Sequence, residues 1–228
     1  MNLYFLVEGR RSEARIYPSW IARIAPNLTR VHFSDLAEEN NYFLFSAEGY
    51  PSVLQTHLKN AVADIRRVGR YDCLVVILDS EEYEKEERTA ETQCALERCG
   101  VGLPCRLEIV VQHRCIETWL LANRRLIPAN PTSDTLRRYL NHFNVRIEDP
   151  EAMPKMAEFS THAHFHLAYV KAAFEERRIV YSKRSPGHAA DAAFVDQLRQ
   201  RVADQPGQLR SFQRLLRILS ECESTSAD

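Results

Sequence analysis

Glycine is scarce in this chain, with 7 in 228 residues beside 10 prolines. So few breakers exclude a linker-rich or low-complexity protein. No stretch is apolar for the roughly 18 residues that a membrane-spanning helix needs. The opening Met-Asn-Leu-Tyr-Phe-Leu-Val has no positive residue ahead of its apolar run, which stops at Glu8. That is the pattern of a buried strand and not of a secretory signal. The 6 cysteines, Cys73, Cys94, Cys99, Cys105, Cys115 and Cys222, include no Cys-x-x-Cys pair. Without a secretory signal, reduced thiols are expected in place of a disulfide frame. An excess of one charge is also missing: Lys and Arg number 30 against 31 Asp and Glu, a formal net charge of -1. That excludes a uniformly basic protein that coats nucleic acid, though not a local basic patch. What is present is ordinary for a soluble, cytoplasmic enzyme or binding protein: 45% hydrophobic and 27% charged residues. At 26.4 kDa there is room for one large domain, or one domain with an appendage.

Strand and helix patterns alternate over residues 1–125. Residues 3–7 are a short run of strand-forming types buried on both faces. Ile16, Trp20, Ile21 and Ile24 recur at helical spacing from about Ser12, with Pro18 inside and Pro26 ending the segment. A strand is expected over 40–46 and a helix from Pro51 to Val68, closed by Gly69. Residues 72–78 are the clearest buried strand, followed by a charged helix to about Cys99. A strand over 106–111 and a short apolar helix over 116–122 complete the set. Such alternation predicts an α/β fold: a mostly parallel, Rossmann-like sheet with flanking helices and ligands at the C-terminal strand ends. Residues 126–228 read as a mainly helical part packed on that core. Helices are expected over 135–142, 166–178, 189–202 and 209–219, a short strand over 179–181, and a fraying polar tail after Ser220.

Carboxylates stand at the strand ends. Glu8 follows the first strand, and Asp79 and Glu81 follow the central one. If strand geometry persists, Asp79 and Glu81 share a side. If the two strands are parallel neighbours, all three acids converge. Converging like charges raise a pKa or bind a cation. A hard divalent ion, Mg²⁺ or Mn²⁺, is the simple remedy, and it can activate water and stabilise phosphoryl charge. The bland alternative is that acids end strands because loops are exposed. Gly9 allows either a close backbone approach to a ligand or a tight turn.

These residues carry a resemblance. Leu6-Val7-Glu8-Gly9-Arg10-Arg11-Ser12-Glu13 resembles the opening motif of TOPRIM-domain proteins, with the Ser-Glu pair of the RloB-like branch. Residues 74–81 resemble the second motif, an apolar strand ending in Asp-x-Asp, here with Glu81 in place of the second Asp. Residues 111–121, with Glu117 before Trp119-Leu120-Leu121, resemble the third signature of RloB-like relatives. Similarity is weaker around Tyr181-Ser182-Lys183. The resemblance implies a TOPRIM fold like that of the overcoming-lysogenization-defect nucleases, with Mg²⁺-dependent phosphodiester cleavage. It also implies a role in bacterial anti-phage defence, often beside an ATPase partner.

Other residues admit two readings each. Glu13 is a supplementary metal ligand, or simply an acid at a helix N-terminus. Glu117 is a metal ligand or general base, or the solvated edge of a short helix. Lys183 aims at developing phosphate charge, or forms a surface pair with Arg184. Arg199 and Arg201 add positive charge to the C-terminal third. Arg210, Arg214 and Arg217 share one helix face, which tracks nucleic-acid phosphates toward the cleft or is merely solvated. His162, His164 and His166 would share a face if extended and could then bind zinc or contact phosphate, but no fourth zinc ligand appears at a recognisable spacing, and a plain polar lead-in to a helix is the leading reading. His113 follows a strand and could face the site.

The resulting expectation is a metal-dependent nuclease acting on DNA or RNA, tRNA included. Glu8, Asp79, Glu81, Glu117 and Lys183 would be catalytic, and Glu8, Glu13, Asp79 and Glu81 would hold the metal. One alternative is a non-cleaving or partner-gated subunit of an ATPase-containing complex, and another is a phosphotransfer enzyme acting on a small nucleotide. No membrane partner is expected, and a homodimer is compatible with the chain.

Overall fold

Leu3–Val7 form strand β1, and the computed structural model, which describes residues 1–224, buries all five. Helix α1 (Glu13–Ile24), β2 (Thr29–Val31) and β3 (Asn41–Ser46) follow. A π turn at Val53–His57 leads into α2 (Leu58–Val68), then β4 (Cys73–Asp79), α3 (Lys85–Arg98) and β5 (Arg106–Gln112). The remainder is helical: α4 (Ile116–Leu120), α5 (Asp134–His142), α6 (His162–Glu176), α7 (Ala192–Asp204) and α8 (Arg210–Ser224).

The five strands form one wholly parallel sheet in the order β2-β3-β1-β4-β5. The two-residue period of β1 and β4 serves two cores at once. Leu3, Phe5, Val7, Cys73, Val75 and Ile77 face α1 and the C-terminal helices. Tyr4, Leu6, Leu74, Val76 and Leu78 face α2 and α3. This is why both strands read as unbroken apolar runs. The chain leaves β1 for β2 and β3 on one side, then crosses to β4 and β5 on the other. A crevice therefore opens between the C-terminal ends of β1 and β4, where strand order reverses.

Local signals explain most boundaries. Gly69 is left-handed (φ 68°) and its N–H bonds the Ile65 carbonyl, closing α2 as expected. Several expectations need correction. Helix α6 begins at His162, because the Thr161 side chain caps it by accepting from His164 N. Residues 179–181 do not join the sheet; Ile179 N folds back to the Phe174 carbonyl, and only Ser182 and Ser185 form a bridge. Helix α8 runs to Ser224, beyond the expected end at 219, and 225–228 lie outside the described residues. Strand β2 escaped notice because it is a three-residue edge strand with exposed Thr29 and Arg30. Among the described residues no helix is long and apolar enough to cross a membrane.

The C-terminal helices are bound to the sheet by aromatics and one buried cation. Phe212 of α8 meets Trp20 of α1 and Trp119 of α4 edge-on, with centroids 5.8 and 5.2 Å apart. Each such pair contributes about 0.5–1.5 kcal/mol beyond its burial. Arg201, one of the arginines that enrich the C-terminal third in positive charge, is 1% exposed. Its guanidinium donates to the carbonyls of Ala122, Val145 and Glu148 and to Gln208 Oε1. Burial lowers its pKa to about 10, so it stays charged at neutral pH. Arg201→Leu should destabilise the fold by about 3 kcal/mol or more, since several enclosed acceptors lose their donor together. Urea unfolding measures this; a loss under about 0.5 kcal/mol, the usual range for a surface site, would refute that role.

Candidate functional site

The crevice is built from the first residues beyond β1, β4 and β5. Glu8 N continues the β1–β4 ladder by donating to the Ile77 carbonyl at 3.0 Å. Glu8 Oε2 in turn accepts from Asp79 N at 3.1 Å, so the two acids are joined across neighbouring strand ends. Asp79 continues the odd-numbered face of β4, toward α1. Its Oδ1 is enclosed and has no hydrogen-bond partner.

Two further acids enter from helices. Glu13, 7% exposed, lies in the first turn of α1 and accepts from Ser12 Oγ at 2.8 Å. Its carboxyl occupies the space of a side chain at position 9: a Cβ on Gly9 would lie 1.9–2.1 Å from the Glu13 carboxyl atoms. A side chain at position 9 would therefore displace the Glu13 carboxyl, whereas Gly9's own backbone angles make no demand for glycine. Glu117, 0% exposed, lies in α4, which starts just past the end of β5. Tyr181 Oη donates to Glu117 Oε1 at 3.1 Å, and Lys183 Nζ stands 3.6 Å from Oε2, which has no hydrogen bond. Lys183 keeps 42% of its side chain exposed, so it bridges the enclosed acid and the solvent.

Burial and mutual repulsion dominate the electrostatics. The Glu8 pKa is pushed up to about 7, chiefly by burial and further by Glu81 and Glu13; the Asp79 N–H and Arg88 oppose this. Asp79 is raised well above the carboxylate range by burial, then by Glu13, Glu8 and Glu117. Glu13 is raised by burial, with Glu117 adding. For Lys183, burial disfavours the charge, but Glu117, Cys115, Asp79 and Glu13 outweigh it and hold the ammonium protonated.

Glu81 does not join this group as the strand period suggested. Strand β4 ends at Asp79, Tyr83 N closes a turn on the Ser80 carbonyl, and Glu81 adopts φ 50°. Its side chain is 52% exposed, at the rim, with Oε2 4.0 Å from Arg88 Nη2. Arg88 is held between the rings of Tyr50 and Tyr83, 3.9 and 4.4 Å from their centroids.

The other residues singled out from the sequence lie elsewhere. Arg214 pairs with Glu108 of β5 at 2.9 Å, so the face bearing Arg210, Arg214 and Arg217 runs along the edge strand and not over the β1 and β4 ends. The histidines do not share a face. His162 bonds Glu82, His164 bonds Ser160, and His166 is buried against Thr118 at 2.7 Å. The helix turns His164 away from the other two. Burial lowers the His166 pKa to about 3, keeping the ring neutral. His113 is influenced by Arg114, Lys85 and Glu151, outside the carboxyl group. Cys115 adjoins Glu117, but burial, then Glu117 and Asp79, raise its thiol pKa, which disfavours a thiolate nucleophile. Tyr17, which lines the acids, carried no signal in the sequence, and Tyr181 was marked only by the weaker similarity over residues 181–183.

As placed, no three His, Cys, Asp or Glu side chains among the described residues are grouped to hold one metal ion. The donor set still has the chemistry of a hard-cation site: four carboxyls, with Asp79 Oδ1 and Glu117 Oε2 both enclosed and unbonded. The fit lies in ligand type and convergence; the ligand cage is not preformed.

Two predictions follow from this electrostatic arrangement. Between its ordinary 4.5 and about 7, folded Glu8 retains a proton that the unfolded chain releases. Stability should therefore fall as pH rises through that window, with Asp79 and Glu13 acting in the same direction. In EDTA the Tm should be higher near about pH 5.5 than near pH 8, and Mg²⁺ or Mn²⁺ should raise the pH 8 value. Asp79→Asn should flatten both responses; a wild type indifferent to pH and cation would count against the cluster. Gly9→Ala should cost about 1–3 kcal/mol by displacing Glu13. Glu13→Ala in the same chain should recover most of that loss in urea unfolding, and no recovery would exclude the contact.

Comparison with models of known protein families, with curated proteins and with solved structures found no match to this chain.

Proposed function

We propose that this chain is a metal-dependent nuclease that hydrolyses phosphodiester bonds of DNA or RNA, and that it acts in the cytoplasm in anti-phage defence. The observation that carries the reading is the gathering of Glu8, Glu13, Asp79 and Glu117 around one crevice at the strand-order reversal, with Lys183 reaching in from solvent. Resemblance to TOPRIM motifs at residues 6–13, 74–81 and 111–121 supports the same reading, because those motifs supply these acids.

Glu8, Glu13, Asp79 and Glu117 would hold Mg²⁺ or Mn²⁺, with Glu81 at the rim. Such an ion supplies Lewis acidity and lowers the pKa of water. Glu117 is positioned for this by Tyr181, which holds Oε1 and leaves Oε2 toward the crevice. Lys183 remains protonated and half exposed, so its ammonium can donate to a phosphoryl or leaving oxygen as charge develops. The apolar strands beneath the acids lower the local dielectric, which strengthens each of these interactions.

A second reading is favoured by one observation: the acids are gathered but not grouped to hold an ion. A partner, such as an ATPase in a defence complex, could complete the cage and thereby gate the activity.

Cleavage of plasmid DNA, single-stranded DNA and total tRNA, each with Mg²⁺, Mn²⁺ or EDTA, tests both readings. Metal-dependent cutting should vanish in Glu8→Ala and Asp79→Ala and fall about 10²–10³-fold in Lys183→Ala. Glu81→Ala, altering only the rim, should lose far less than either. No cutting together with a cation-dependent Tm rise would favour the gated subunit. No cutting and no cation response would end the metal-site reading.

A further inference from the structure

The turn between β1 and α1 is two-sided. Glu8 and Glu13 point their carboxyls into the crevice, while Arg10 and Arg11 between them are exposed. The turn after α6 has the same character: Lys183 reaches Glu117, and its neighbour Arg184 is exposed. The outward residues of both turns meet. Arg10, Arg11, Arg15 and Arg184 line one open cavity of about 390 Å³, floored by Ala14. That volume matches roughly a dozen waters.

Four guanidinium groups around one cavity repel each other, and its lining contains no carboxylate to relieve them. Arg10 alone has a partner, Glu48, at 3.1 Å, with both side chains well exposed. Among the described residues, Arg11, Arg15 and Arg184 make no ion pair. Arg11 and Arg15 are four positions apart at the start of α1, where the helix dipole adds positive potential. The contrast with α8 is direct, since Arg214 there is already neutralised by Glu108.

We infer that the Arg10, Arg11, Arg15 and Arg184 cavity is a phosphate-binding site, and that it seats nucleic-acid backbone phosphates flanking the bond presented to the crevice. The inference rests on the nuclease reading for its substrate. The site itself rests on the arginine geometry. Planar guanidiniums suit bidentate contact with phosphate oxygens. Ala14 leaves the floor low, so a phosphate can approach the helix N-terminus. Arg184 follows Lys183 directly in the chain, so one turn links this cavity to the ammonium beside Glu117.

The test is binding without cleavage. Fluorescence anisotropy of a short single-stranded oligonucleotide is measured in EDTA between about 0.05 and 0.2 M salt, with ATP as a separate ligand. Arg11→Gln/Arg184→Gln removes two of the cations. It should weaken oligonucleotide binding roughly 20-fold near about 0.1 M salt and reduce the log–log salt slope by about 1.4, since each single-strand phosphate contact contributes about 0.7. Arg11→Lys/Arg184→Lys keeps the charge and should keep the slope; a fall in slope there too would overturn the assignment of these cations to phosphate contacts. Affinity for ATP but not for the oligonucleotide, lost in the same variant, would retain the phosphate site and assign it to a free nucleotide. Unchanged binding of both ligands in the Gln variant, or a loss seen only in Arg210→Gln/Arg217→Gln, would overturn the assignment. Since neither metal nor cleavage enters the readout, its failure is separable from failure of the nuclease reading.

Discussion

Negative charge enclosed at the C-terminal ends of β1 and β4 is the constraint on which the surrounding structure depends. Carboxyl groups this close cannot all ionise in a low-dielectric crevice without compensation. Each unusual local feature answers that pressure. Gly9 gives its side-chain space to the Glu13 carboxyl. Lys183 and Tyr181 are bent inward by the turn after α6, where a strand returning to the sheet would have aimed them elsewhere. Arg88, stacked between two tyrosines, lowers the cost of ionising Glu8 from the opposite face. A protein needing only a stable sheet would gain by replacing these acids with apolar groups. Their retention under such costs is the physical case for function.

What was readable beforehand follows from the range of the forces involved. β1 and β4 are buried on both faces, and their apolar runs declare it within five to seven residues. Alternation of strand and helix predicts parallel strands but not which of them are neighbours; the observed β1–β4 pairing is what places Glu8 beside Asp79. Glu81 was misplaced because the two-residue period holds only while the strand lasts, and a turn at Ser80 ends it. The face that His162, His164 and His166 would share in an extended segment does not form, for the converse reason: a threonine cap starts α6 early and replaces a period of two by one near 3.6. In both cases a local hydrogen bond at an element boundary decided which residues face one another. The full partnership of Glu117 was equally hidden. Tyr181 lies 64 positions away, a contact that no spacing rule could supply.

Charge on the surface was the least legible feature. Helical spacing placed Arg210, Arg214 and Arg217 together correctly, but spacing does not say what lies beneath. Strand β5 supplies Glu108 and takes up Arg214. The arginines around this cavity look unremarkable in the sequence, because the β1–α1 turn with the first turn of α1, and a turn about 170 residues later, contribute them. Only the fold brings Arg184 to Arg10, Arg11 and Arg15.

The division near residue 125, drawn from the change in strand and helix pattern, separates groups that the structure brings into contact. The sheet contributes acids without their counter-charge; the helical part contributes Lys183, Tyr181 and Arg184 without a site to serve. Trp20, Trp119 and Phe212 bind the two parts through a common apolar core. Arg201 fixes α7 to the carbonyl of Ala122 just beyond α4, the helix that carries Glu117. Loosening that packing would move the ammonium away from the clustered carboxyls and leave them to be neutralised by proton uptake. The helices thus act on the crevice electrostatically as well as mechanically: they determine how much of its charge can exist at neutral pH.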